Sequence, residues 1–113
     1  MVDYTKIIND TSRCWKLIDT QYAHNMHGHK AGETRIDGRY PVRIGSVYTC
    51  LSFIGVGKTV IMPYFKNNQG ASKTGYVTTS NLVFIDEPQT IDGKTILRFE
   101  TLNTVYTLEA VEE

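Results

Sequence analysis

The sequence predicts an all-β (mainly β) fold: a small antiparallel barrel with a long first loop and an added C-terminal β-hairpin. Three observations carry this. Runs rich in β-branched and aromatic residues follow one another at short spacing. Gly, Pro, Asn and Asp punctuate them as turn signals. The last two runs, residues 94–100 and 104–109, alternate apolar and polar side chains around Leu102-Asn103 and read as a hairpin. At 113 residues the chain is one domain, with the barrel at about 12–87 and the hairpin at about 94–111.

Residues 2–9 mix polar and apolar side chains around Ile7-Ile8 and read as a short helix or an edge strand, followed by a turn or cap at Asp10-Thr11-Ser12. Residues 13–19 form a first strand with Trp15 and Leu17 on one face, and Trp15 reads as a core anchor. Residues 20–40 have no clean period and contain Gly28, Gly32, Gly38 and three histidines, so they read as a long surface loop. Such a loop inside a compact domain is the first place to look for a binding site. After Pro41, Val42-Arg43-Ile44 leads through Gly45-Ser46 to a strand over 47–54. Gly55-Val56-Gly57 is a turn, 58–65 a strand with Pro63 marking an edge or bulge, and 66–72 a polar loop. Tyr76-Val77 and residues 82–85 are short apolar runs, and Thr78, Thr79, Ser80 and Asn81 between them read as a tight turn. A second polar turn stands at Asp86-Glu87-Pro88.

The order of residues 45–51, a turn, a strand, a polar loop and then Thr74-Gly75-Tyr76-Val77 through Val83 resembles a Src-homology-3-like small β-barrel over residues 12–85. That resemblance implies a one-turn 3₁₀ helix before a last short strand, and a match of residues 20–40 to the family's long first loop. The sequence departs from the peptide-binding members: it has no tryptophan pair at the middle strand and no acidic cluster in the long loop. Proline-peptide recognition is therefore not implied.

Composition is that of an ordinary globular domain, 41% hydrophobic and 21% charged. No apolar run approaches the roughly 18 residues of a membrane span, so no membrane partner is expected. The first residues hold an early acid and no apolar signal core, and the expected location is cytoplasmic. In that compartment Cys14 and Cys50 read as buried thiols rather than a disulfide. Net charge is zero but segregated. Residues 38–85 hold five cations and no acid, whereas residues 86–113 hold seven acids against Lys94 and Arg98. Two readings stand open: a basic binding face, or an acidic hairpin lying against the basic barrel.

Candidate chemistry is sparse. His24-x-x-His27-x-His29 is the sharpest cluster, yet it lacks a Cys-x-x-Cys partner and reads as a solvated loop that titrates near neutrality. Gly55-Val56-Gly57-Lys58-Thr59 resembles the end of a phosphate-binding loop, but Ser52 replaces the first glycine and a strand follows, so it is a hairpin turn. No nucleophile, base and acid are selected by spacing among Cys14, Cys50, the histidines and Asp37. The chain is expected to be no enzyme and to need no cofactor or metal. The leading expectation is a small interaction or regulatory module that binds a protein partner. A phage-type accessory protein acting on a host factor is its pattern, with Tyr22, His24, Met26, His27 and Tyr40 as contacts. The alternative is a nucleic-acid-binding barrel using Arg39, Arg43, Tyr48, Lys58, Tyr64, Lys66 and Lys73. Monomer and homodimer remain equally compatible with the sequence.

Overall fold

Trp15 and Leu17 alternate with exposed Lys16 in the first strand, β1 (Cys14–Tyr22), as a strand with one buried face requires. The computed structural model describes residues 14–49, 51–53 and 55–112; the expectations for residues 2–9, the turn at 10–12 and the Cys50 thiol lie outside these. β1 runs three residues beyond its expected end. A bulge between Leu17 and Asp19 adds one residue, Ile18, and shifts the inward phase onto Thr20 and Tyr22. Cys14 is a buried free thiol and Trp15 is a core residue.

Val42-Arg43-Ile44 leads through Gly45-Ser46 to a strand at Val47 as expected, but before it the chain makes a one-turn helix, α1 (Tyr40–Arg43), with Pro41 in its first turn. Then follow β2 (Val47–Thr49), β3 (Ser52–Phe53), β4 (Thr59–Lys66), β5 (Tyr76–Ile85), β6 (Gln89–Ile91), β7 (Lys94–Thr101) and β8 (Thr104–Val111). The pairs β1–β2, β2–β4, β4–β5, β5–β7, β7–β8 and β8–β1 are all antiparallel and close a ring. β3 continues along β4 beyond β2, and β6 continues along β7 beyond β5. The terminal hairpin occurs at 94–111 as expected. Instead of hanging on a closed barrel, it supplies two of the ring's strands. Strand periodicity fixes which face is buried but does not name the partner, which is why the hairpin's place could not be read locally.

Leu17, Leu108 and Leu97 sit in register across β1, β8 and β7, all fully buried. Each is worth about 2–5 kcal/mol against alanine in such a core. Phe99 meets Phe53 edge-on at 5.3 Å and stacks on Tyr106 at 5.0 Å, tying β7 to β3 and β8. Among the described residues no helix is long and apolar enough to cross a membrane.

β5 is the main departure from the sequence reading. The expected turn at Thr78-Thr79-Ser80-Asn81 does not form, and the chain continues as one ten-residue strand. Its buried residues fall at 77, 79, 82 and 85. Spacings of two, three and three mark two extra residues, matching register shifts against β4 and against β7. The hydrogen-bonding capacity expected to close a turn is spent on the first bulge. Thr79 Oγ1 accepts from Val60 N at 3.0 Å and donates to Ser80 O at 2.7 Å, and Ser80 Oγ contacts Thr101 Oγ1 at 2.8 Å. The barrel thereby bends without breaking the strand.

Candidate functional site

The long loop is built, not free. Met26 and His29 exchange both backbone hydrogen bonds, at 3.0 and 2.8 Å, around His27 and Gly28 at φ 51° and 79°. Two successive left-handed residues define the mirror-image turn that suits a twisted ribbon. The return leg lies against β1: Tyr22 N donates to Glu33 O and Arg35 N to Thr20 O. His29 stacks on Tyr22 at 4.7 Å and lies 3.9 Å from Glu33. His24 and His27 are exposed at the loop's outer end and Met26 is half-buried.

Behind that ribbon a buried guanidinium holds the loop to the barrel. Arg35 is only 5% exposed, and its Cζ lies 4.8 Å from the Tyr22 ring centroid and 4.1 Å from that of Tyr40. Arg43 covers Tyr40 from 5.6 Å. His29, Tyr22, Arg35, Tyr40 and Arg43 thus form a continuous series of stacked groups. Arg35 donates through Nη1 to Asn103 O at 3.2 Å and to Thr104 Oγ1 at 2.8 Å, and through Nε and Nη2 to Asp37 at 3.0 and 2.5 Å. Thr104 Oγ1 in turn donates to the Tyr40 hydroxyl at 3.1 Å. Every polar atom of the guanidinium edge facing the barrel is engaged, as a buried cation requires.

The Arg35 hydrogen bond holds the Asp37 carboxyl down to about 2, and the same contact raises the arginine further. Because the folded value lies below the ordinary one, Asp37 contributes stability above its unfolded pKa and loses it as pH falls through about 2. The gap in unfolding midpoint between the protein and Asp37→Asn is therefore expected to be widest above pH 5 and to close towards pH 2 by thermal denaturation. A gap independent of pH would contradict this. The carboxylate is 38% exposed, so solvent screening keeps the effect modest.

The same scaffold fixes one wall of a cleft. Gly45, at φ 91°, ends α1 and places its backbone beside Asn68, whose Cβ is 3.7 Å from where a side chain at 45 would begin. Gly45 N donates to Leu17 O and Leu17 N to Ser46 O, so the 39–46 segment is locked to β1. The opposite wall is the β4–β5 connection. Asn67 Oδ1 accepts from Gln69 N at 2.9 Å and Ala71 N at 3.0 Å, an Asx turn that orders the polar loop. Lys73 emerges from it with Nζ 4.1 Å from the Tyr64 ring centroid.

Between the walls lies a cleft of about 490 Å³, lined from one side by Arg39, Val42 and Arg43 and from the other by Tyr64, Lys73 and Tyr76. Among the described residues its charged lining is Arg39, Arg43 and Lys73, with no carboxylate. Among the described residues none of the three has an acidic partner within ion-pair distance. Three cations on one concave surface reinforce one another's positive potential.

The acidic hairpin does not cover this cleft: no residue of β6, β7 or β8 lines it. The cleft sits at the Tyr76 end of β5 and the hairpin pairs with its Leu82–Ile85 end. Lys94 instead pairs with Glu109 across the hairpin at 3.7 Å.

The two candidate sets fare differently. Of the protein-contact set, Tyr22 is 1% exposed and Tyr40 is half-buried between two guanidiniums, which leaves His24, Met26 and His27 on the outer loop. Of the basic set, Arg39, Arg43, Tyr64 and Lys73 converge on the cleft. Tyr48 is fully buried, and burial pushes its phenol well above the usual range, so it is a core residue and not a surface platform. Lys58 occupies the turn at the far end of β4, where its amide donates to Gly55 O. Lys66 ends β4 with Nζ 5.7 Å from the Phe65 ring. Arg35 and the Asn67–Asn68 turn escaped the sequence reading. Nothing in a Gly-rich, mixed-charge loop signals that one arginine will be buried.

Comparison with protein-family models, with curated proteins and with solved structures finds no match.

Proposed function

We propose that this protein is a non-enzymatic binding module whose cleft takes the phosphate backbone of a nucleic acid. One observation carries the reading: the acid-free stretch of the sequence folds so that Arg39, Arg43 and Lys73 line one concave surface with no carboxylate among the described residues that line it. Phosphate contacts by side chains on a fixed scaffold supply sequence-independent affinity. The barrel itself we read as Src-homology-3-like in plan, with a long excursion between its first two ring strands and a final strand closing on the first.

The test is amide chemical-shift mapping of labelled protein against a short oligonucleotide. Shifts are expected at residues 39–46 and 64–77. Shifts confined to 24–29, or none at millimolar ligand, would count against the reading. A protein partner is the second reading, and one observation favours it. Phe84 and Ile91 are 56% and 51% exposed beside Asp86 and Arg98, an apolar and charged surface on the opposite end of β5. Shifts at 84–98 on addition of a host extract depleted of nucleic acid would transfer the function there.

A further inference from the structure

The geometry points to single-stranded nucleic acid as the ligand, with one base stacked on Tyr76; this rests on the backbone-binding reading above. The aromatic residues around the cleft are not equivalent. Tyr64 already has Tyr48 at 4.7 Å and Lys73 Nζ at 4.1 Å. Tyr40 is held by Arg35 and Arg43. Tyr76 is 66% exposed, lines the cleft, and has no ring or cation over it among the described residues. It is the first residue of β5, opposite Pro63 on β4, with Val77 beside it turned into the core. The strand therefore presents an anchored ring to solvent. Gly75, at φ 100°, sets the kink by which Lys73, Thr74, Gly75 and Tyr76 all line the same cleft.

A cation and an open aromatic face within four residues form a phosphate contact next to a stacking platform, the combination that holds unpaired strands. Bases in a duplex have both faces covered by their neighbours, so Tyr76 has nothing to stack on there. A single strand with splayed bases does offer a free face. The cleft volume of about 490 Å³ suits a nucleotide or two and is small against a double helix.

The experiment measures fluorescence anisotropy of oligothymidylate, of a duplex of equal length and of inorganic polyphosphate, on the protein and on Tyr76→Ala and Tyr76→Phe. Tyr76→Ala is expected to weaken oligothymidylate binding about 10-fold. Tyr76→Phe should retain it, and polyphosphate binding should be unchanged in both, because a backbone mimic has no base to stack. The single strand should bind tighter than the duplex at equal salt. Oligothymidylate binding unaffected by Tyr76→Ala, or a duplex bound more tightly, overturns the inference while leaving backbone binding in place. Failure of all three polyanions to bind overturns both. Displacement of bound oligothymidylate by an acidic peptide at equal charge concentration would equally overturn base recognition.

Discussion

Arg35→Ala is expected to lower stability by about 3 kcal/mol, from lost cation–π contacts with two rings, charged hydrogen bonds left unmade and a void behind the loop. For a domain of this size that is a fall in unfolding midpoint of roughly 10–20 °C. The weight lies in the buried end of the residue. The Asp37 carboxylate is 38% exposed and its ion pair is screened, whereas the guanidinium is 5% exposed between Tyr22 and Tyr40. Asp37→Asn should therefore cost less than Arg35→Ala. Arg35→Lys should not restore stability, because an ammonium cannot lie flat between two rings while donating to Asn103 and Thr104. Urea unfolding of the three variants measures all of this. A change within about 0.5 kcal/mol for Arg35→Ala, the range of an ordinary surface substitution, would show that the stack is not a structural anchor.

Much of the barrel was legible because alternation survives in the strands that carry it. Trp15 and Leu17 in β1, and the hairpin around Leu102-Asn103, stand where their pattern puts them. β5 was misread for a definite reason. Thr79 and Ser80 have side chains that bond nearby backbone, and that capacity serves a bulge as readily as a turn. The inward spacing of Val77, Thr79, Leu82 and Ile85 then breaks the period of two. The cleft was legible as charge and not as shape. Arg39, Arg43 and Lys73 come from two segments more than twenty residues apart, brought together by the close approach of Gly45 to Asn68. No local pattern separates those cations from Lys58 at the other end of β4, or an exposed Tyr76 from a buried Tyr48.

Reversing two of the converging cations is the second large effect. Arg39→Glu combined with Lys73→Glu places two carboxylates in a cleft whose described lining holds none, and both side chains are exposed, so folding should be preserved. Arg43 is left intact because it is half-buried and covers Tyr40, whereas Lys73 is exposed and gives up only its contact over the Tyr64 ring. The double variant is expected to bind oligothymidylate at least 100-fold more weakly at low salt, through two lost phosphate contacts and two new repulsions of roughly 1 kcal/mol or more each. Reversal at Lys58, which is remote from the cleft, should change affinity less than threefold.

The most direct measurement is the dependence of oligothymidylate affinity on salt, for the protein and for the double variant. Three phosphate contacts predict that log affinity falls with log salt at a slope of about −2, and that the double variant flattens it to about −0.7 or less. A flat slope for the unmodified protein, or the same slope in both, would contradict a backbone-binding cleft formed by Arg39, Arg43 and Lys73.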